Sequence, residues 1–176
     1  EPIKVLDKGY VKLVDVMGDD RSVVNAARAS FARESAEFGP ADDRLLAFLI
    51  REGHWSPFRH AMMTFEFKAP LMVARQHWKY VVGSDHTMDG WNEASRRYIT
   101  MEPEFYVPDS TEWRSAPENS KQGSGDPVND DFGTDLTRSL INLLTEAEDL
   151  YDRAVAAGIA PEQARLFLPM YGMYTN

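Results

Sequence analysis

The order of apolar and polar residues along the chain predicts strands as well as helices. Apolar and polar positions alternate over residues 10–16 and again over 61–67, and a period of two is typical of half-buried strands. Residues 106–108 form a third, shorter strand candidate. Strands and helical segments do not alternate regularly, so the predicted fold class is α+β, with a mixed or antiparallel sheet flanked by helices.

Helices are predicted where a capping residue or a proline precedes apolar residues that recur at spacings of three and four. They run from an N-cap at Asp20 to Ala27, from Pro40 to just before Gly53, from Pro70 to about Val81, over about 132–157, and from Pro161 to about Phe167. The third of these has apolar residues around most of its circumference, which predicts a buried helix.

The chain length of 176 residues predicts a single domain with a core of its own. Residues 114–131 are rich in Gly, Ser, Pro and Asn, so we expect a flexible surface loop there. No apolar run approaches the roughly 18 residues of a membrane span, and no basic segment precedes an apolar one as in a secretory signal. The expected location is the cytoplasm, or the host cytoplasm if the protein is viral, with no membrane partner.

Charge is distributed unevenly along the chain. The whole sequence carries a formal charge of -9, whereas residues 44–100 hold eight Lys+Arg against five Asp+Glu, together with all four His. An acidic chain lacks the broad basic surface that nucleic acid requires, so no nucleic-acid partner is predicted. The local positive charge suits a pocket for a small anion, although a segment that merely has fewer solvated acidic residues would show the same balance.

Two polar clusters in the first half of the chain are candidates for binding. His54 and His60 lack a third ligand at metal-site spacing, so no metal is predicted, while Ser56 and the backbone N–H groups of its turn can hold a phosphate. On the third helix, Gln76 and Lys79 share one face with the tyrosine that follows. That face is either a recognition surface or an ordinary solvated one.

The segment at 92–98 and the single basic residue near the end are further candidates. Glu93, Ser95, Arg96 and Arg97 place an acid, a hydroxyl and two guanidiniums within a few positions, and Arg side chains are preferred phosphate ligands. The alternative is a helical surface ion pair between Glu93 and Arg97. Arg165 lies on an otherwise apolar helix, where a guanidinium needs an anion.

In combination these blocks resemble the flavin-dependent thymidylate synthases. The matching blocks are Ala27-Arg28-Ala29-Ser30-Phe31, His54-x-Ser56-Pro57-Phe58-x-His60 with Thr64-Phe65-x-Phe67, Ala74-Arg75-Gln76, Asn92-Glu93-x-Ser95-x-Arg97-Tyr98 and Glu162-x-Ala164-Arg165-x-x-Leu168-Pro169. The resemblance implies a homotetramer that methylates dUMP to dTMP with methylenetetrahydrofolate and NADPH, using FAD. Reduced flavin, rather than an enzyme nucleophile, mediates methylene transfer in that family. The absence of cysteine agrees with this chemistry and argues against the classical thymidylate synthase, which uses a thiolate.

Matching residue by residue assigns the site. The implied dUMP ligands are Gln76, Lys79, Glu93, Ser95, Arg96, Arg97 and Arg165, with Ser95 and Arg97 as the catalytic residues that position the substrate. The implied FAD contacts are Ser30, His54, Ser56, Lys79, Tyr80, Val81 and Glu93.

The chain departs from the family pattern at several points. Lys79-Tyr80-Val81 stands where the family has Arg-His-Arg, and residues 84–89 are an insertion in which His86 is a candidate substitute contact. The family continues with a further FAD-binding segment and the arginine placed against the uracil, so the C-terminus is expected to be incomplete. Two alternatives remain: a nucleotide-binding protein of this fold without redox activity, and an assembly role of the long helix.

Overall fold

The computed structural model describes residues 1–82, 90–94 and 103–176, without the Val82 side chain. Its helices and strands are β1 (Ile3–Val5), β2 (Gly9–Met17), α1 (Asp20–Arg28), α2 (Pro40–Arg51), β3 (Met62–Pro70), α3 (Leu71–Val82), α4 (Asp130–Ala156), α5 (Pro161–Ala164) and β4 (Tyr174–Thr175). Short 3-10 turns cover Ala29–Phe31, Ser56–His60, Arg165–Phe167 and Met170–Gly172. The mixture of helices with a sheet confirms the α+β class.

The strands form a four-stranded sheet in the order β1-β2-β3-β4. β3 and β4 pair antiparallel, with Ala69 opposite Thr175 and Pro70 opposite Tyr174. The predicted strands at 10–16 and 61–67 are confirmed, whereas β1 and β4 were not predicted. Pro70 was predicted to open α3 but instead ends β3, because it is paired with Tyr174.

The strand predicted at 106–108 is wrong. Phe105, one residue earlier, forms an isolated antiparallel bridge with Met173, and the Tyr106 N–H donates to the Gly172 carbonyl at 2.9 Å. This pairing extends over too few residues to form a strand, so residues 106–108 are irregular.

The helix predictions hold, with small errors at the ends. α4 confirms the predicted long helix and starts two residues earlier, because the Asn129 side chain accepts a hydrogen bond from the Phe132 N–H at 2.9 Å. The N-cap of α1 is Asp19 rather than Asp20, since Asp19 forms a reciprocal capping box with Ser22. The helix predicted from Pro161 to Phe167 is confirmed as α5 followed by a 3-10 turn.

The prediction that α3 is a buried helix is wrong. Ala74 is buried, but Val73 is 45% exposed, and most of the other described side chains of the helix are at least partly exposed. A helix with apolar residues on several sides can still contact its own chain along one stripe, and here that stripe passes through Ala74.

The chain forms two compact units, and β1, β2 and β3 each contribute residues to both. The first unit comprises 1–3 and 11–66, in which α1 packs against α2 and against the 3-10 turn at 56–60. The second comprises 4–10 and 67–176, and Phe105, Leu144, Leu168 and Met173 form its core cluster. Within the described residues, no helix is long and apolar enough to cross a membrane.

The segment predicted as a loop joins α4 within the second unit. Arg114 and Pro127 form an isolated bridge, and the Ser115 N–H donates to the Asp126 carbonyl at 2.9 Å. These contacts close the ends of the segment like a hairpin, and the helix begins before the predicted loop boundary at 131. Its flexibility stays a prediction.

Candidate functional site

α3 presents polar side chains from the second unit to solvent. Gln76 and Lys79 lie one helical turn apart and are both exposed, and Tyr80 beside them is 80% exposed. Lys79 has no ion-pair or hydrogen-bond partner among the described residues. Its ammonium group is therefore available to bind an anion.

An aromatic cluster connects α3 to the segment at 91–94. The His77 ring lies 5.3 Å from the Phe67 ring and 5.6 Å from the Trp91 ring, and Phe67 and Trp91 are 5.1 Å apart, measured between centroids. Such edge-on and tilted contacts are the favoured geometries of aromatic pairs. The cluster places the segment that carries Glu93 against the helix that carries Gln76 and Lys79.

Thr175 at the end of β4 and the residue that follows it also contact this segment. The Thr175 hydroxyl donates to Glu93 Oε1 at 2.5 Å, and the Ala94 N–H donates to the Asn176 carbonyl at 2.8 Å. Sequence reasoning missed Thr175, because it belongs to none of the quoted motifs and lies 82 positions from Glu93. The structure thus groups α3, Glu93 and β4, three elements that are distant in sequence.

Arg165 lies in the 3-10 turn that completes the predicted helical segment. It begins this turn, which packs against α4, and its side chain is exposed, whereas Ala164 and Leu168 are buried. The Arg165 guanidinium therefore lies in solvent rather than in apolar surroundings, and it needs no anion to offset burial. No hydrogen bond joins Arg165 to Gln76, Lys79 or Glu93 among the described residues.

The remaining predicted dUMP ligands Ser95, Arg96 and Arg97 lie outside the described residues, as does His86 in the predicted insertion. Residues 91–94 are not helical. The alternative of a helical ion pair between Glu93 and Arg97 involves Arg97, so it also lies outside the described residues.

In the first unit, the turn after α2 positions His54 and Ser56. Gly53 has a φ of +67°, and the His54 N–H donates to the Leu49 carbonyl at 2.8 Å, which together form a Schellman-type helix end. The His54 ring lies edge-on to Phe48, with centroids 5.8 Å apart. Ser56 is exposed at the start of the 3-10 turn. In the part of the chain that the structure describes, no three His, Asp or Glu side chains are grouped to hold a metal ion.

Ser30 is exposed in the 3-10 turn after α1, and Arg28, two residues before it, takes part in a polar network. The buried Asp42 accepts hydrogen bonds from the Arg28 guanidinium, from the Ser35 hydroxyl at 3.0 Å and from the Gly39 N–H at 2.8 Å. The hydrogen bond from Arg28 is the largest of the effects that lower the pKa of Asp42. Arg28 belongs to the same sequence block as Ser30, and this block was the feature of the sequence that pointed to Arg28.

Most of the predicted FAD contacts carry polar groups that suit a flavin nucleotide. Ser30, His54, Ser56, Lys79 and Tyr80 supply exposed hydroxyl, imidazole, ammonium and phenol groups. Hydrogen-bond donors and a cation suit the polar edge of the isoalloxazine ring and the diphosphate. These residues fit the group, but Val81 carries no polar side-chain atom and offers apolar contact only.

Comparison with known proteins gives matches over nearly the whole chain. A family model described as "Thymidylate synthase complementing protein" matches residues 12–176. The flavin-dependent thymidylate synthase of Thermotoga neapolitana is 39% identical over 177 residues, which cover 99% of this chain and 71% of the relative. That of Thermosipho africanus is 37% identical, with coverages of 95% and 69%. That of Thermus thermophilus is 38% identical, with coverages of 99% and 60%.

Solved structures give a consistent result. The UMP/dUMP methylase PolB from Streptomyces cacaoi, bound with 5-Br dUMP, has a TM-score of 0.77 and 34% identity over 98% of this chain and 72% of that chain. The same protein bound with 5-Br UMP has a TM-score of 0.74 and 33% identity, with coverages of 96% and 70%. The chain therefore spans about 60–72% of the length of these proteins.

Proposed function

The chain belongs to the family of flavin-dependent thymidylate synthases, and we propose that it methylates dUMP to dTMP with methylenetetrahydrofolate and NADPH, using FAD. The observation that carries this proposal is the family match over residues 12–176, which includes every candidate ligand. The structural neighbour bound with brominated UMP and dUMP supports a pyrimidine monophosphate as the substrate.

The proposed dUMP site uses the polar residues of α3 and of the segment at 91–94. The Lys79 ammonium neutralises the phosphate as a point charge, without the two-pronged contact that an Arg makes. The Gln76 amide and the Glu93 carboxylate hydrogen-bond the nucleoside. Ser95, Arg96, Arg97 and Arg165 complete the set, with Ser95 and Arg97 positioning the substrate.

The proposed FAD contacts are those that the resemblance to the family implies. Ser30, His54 and Ser56 would contact the flavin nucleotide, with Lys79, Tyr80, Val81 and Glu93. When bound, the flavin supplies the methylene transfer and the hydride, while the residues of this chain bind and orient the two nucleotides.

A homotetramer is proposed as the assembly. Ile141 and Leu143 on α4 are 48% and 54% exposed, and apolar side chains on a helix surface support contact with another copy. The cytoplasmic location stays a prediction.

Enzyme assay of the intact protein tests the proposed function. The purified protein is expected to show the visible absorption of oxidised flavin and to form dTMP from dUMP, methylenetetrahydrofolate and NADPH, with UMP assayed in parallel. Lys79→Met is expected to weaken dUMP binding and Lys79→Arg to retain it, because only the second keeps the charge. A protein that binds no FAD and does not oxidise NADPH in the presence of dUMP would contradict the proposal.

A nucleotide-binding protein without redox activity is the second candidate. It is favoured by Val81, which offers no polar group where the family has a charged one. This candidate predicts dUMP binding that is independent of FAD and is abolished in Arg97→Ala. Calorimetry that detects tight FAD binding, together with turnover, would exclude it.

A further inference from the structure

The Glu93 carboxylate is held by a side chain from outside its own segment. The Thr175 hydroxyl donates to Glu93 Oε1 at 2.5 Å, the short distance typical of a hydrogen bond to an ionised group. Glu93 Oε2 has no partner among the described residues. One oxygen of the carboxylate is therefore anchored, and the other can accept a hydrogen bond from a ligand.

Thr175 is itself fixed by the sheet. It lies opposite Ala69 in the antiparallel pair of β3 and β4, and the Leu71 N–H donates to the Met173 carbonyl at 2.8 Å just beyond that pair. The backbone hydrogen bond from Ala94 to Asn176 joins the residues that directly follow Glu93 and Thr175 in the sequence. The hydroxyl thus approaches Glu93 from a supported backbone.

The other end of the segment is held by the aromatic cluster. Trp91 packs against Phe67 and His77, two residues before Glu93, and the Ala94 N–H is bonded one residue after it. With the backbone restrained on both sides, the side-chain torsions of Glu93 are the main freedom left to the carboxylate. A glutamate that is free to rotate loses rotamer entropy when a ligand orders it, and an anchored one has already lost it.

We propose that Thr175 is a positioning residue that pre-orients the Glu93 carboxylate for dUMP. The inference rests on the proposed function, in which Glu93 is a dUMP ligand, and it assigns to Thr175 no contact with the substrate. Thr175 acts through Glu93 alone, so its effect depends on the presence of the Glu93 side chain.

Calorimetric dUMP binding by the intact protein tests this role. Thr175→Val keeps the β-branched shape and removes the hydroxyl, and it is expected to weaken dUMP binding about fivefold to tenfold, the order of the entropy cost of immobilising one side chain. Thr175→Ser keeps the hydroxyl and is expected to stay within about twofold of the wild type. Thr175→Ala is measured in parallel, so that a folding defect in one variant does not decide the result.

A double-mutant cycle separates positioning from a general structural effect. In a Glu93→Ala background, Thr175→Val is expected to cause no further loss of dUMP affinity, since the group it acts through is gone. A loss that persists in that background, or wild-type affinity in both Thr175→Val and Thr175→Ala, would overturn the positioning role while leaving the proposed function intact. A wild-type protein that binds no dUMP would overturn the proposed function and this inference with it.

Discussion

The Tyr174 phenol joins the N-terminal turn of the second unit to β4. Removal of its hydroxyl measures how much this contact contributes to the stability of the protein. Tyr174 Oη donates to Asp7 Oδ1 and accepts a hydrogen bond from the Lys8 N–H at 3.3 Å. The Tyr174 side chain is only 7% exposed. Tyr174→Phe deletes the hydroxyl and leaves the buried ring in place.

The expected loss follows from the surroundings of Asp7. A hydrogen bond to a charged group contributes about 1.5–3 kcal/mol to stability. The Asp7 side chain is 28% exposed, and the Lys8 ammonium lies 4.0 Å from Oδ2, so water and this charge replace part of the lost bond. We therefore expect a loss of about 1.5–2 kcal/mol, near the lower end of the range. With a urea dependence of about 2 kcal/mol per molar, the unfolding midpoint falls by about 0.8–1 M.

Urea unfolding at pH 7, followed by far-UV circular dichroism, measures this loss. Tyr171→Phe is the matched control, because Tyr171 is 72% exposed and lies only three positions away. Its midpoint is expected to correspond to a change within about 0.5 kcal/mol. Equal midpoints for the two variants would contradict this prediction, since the buried hydroxyl would then contribute no more than an exposed one.

The same hydroxyl predicts a pH dependence on the alkaline side. Burial, together with the hydrogen bond to Asp7, raises the pKa of Tyr174 above its ordinary value of 10.0. Below that value the phenol is protonated in both states and its contribution to stability is complete. Above it the unfolded chain releases the proton while the folded chain keeps it, so stability falls as the pH rises. The wild type should lose stability more steeply than Tyr174→Phe above about pH 10, and parallel slopes would contradict this.

Two further predictions concern other contacts. A Cβ at Gly133 would lie 2.0 Å from the Ser110 carbonyl oxygen, so Gly133→Ala should lower the free energy of unfolding by about 1–3 kcal/mol through overpacking, despite the better helix propensity of Ala. Ser139→Ala on the exposed face of α4 should not lower it, and urea unfolding measures both variants. The hydrogen bond from the Arg28 guanidinium lowers the pKa of Asp42. The ionised Asp42 carboxylate therefore stabilises the folded state at neutral pH, and this stabilisation is lost as the pH falls through the lowered pKa. The free energy of unfolding should therefore decrease less steeply with falling pH in Asp42→Asn than in Asp43→Asn. Equal pH dependences of stability in the two variants would contradict this role of Asp42.

The long elements were predictable from the sequence because each contains enough repeats of its apolar period to identify it. α4 extends over 27 residues, and its apolar spacing predicted it to within two residues at the start. Errors occur where a distant partner determines the boundary. Pro70 is a standard helix-initiating residue, but its pairing with Tyr174 makes it the last residue of a strand.

Short strands were not predictable for the same reason. β1 has three residues and β4 has two, so neither contains a readable alternation. They exist because neighbouring strands supply the hydrogen bonds. A single bridge at Phe105 likewise replaced the strand predicted at 106–108, since Met173 offers that segment only one paired position.

The candidate site also depends on a contact between residues that are distant in sequence, which local patterns do not predict. Motifs predicted Gln76, Lys79 and Glu93 as dUMP ligands, because their residue types and order are local properties of the sequence. The anchoring of Glu93 by Thr175 is not local, since it depends on the register that places Thr175 opposite Ala69. A slip of one residue in that register would move the Thr175 side chain to the opposite face of the sheet and leave the carboxylate unanchored. The orientation of Glu93 is therefore determined by strand pairing at β4, and the positions that pair cannot be inferred from the motif that contains Glu93.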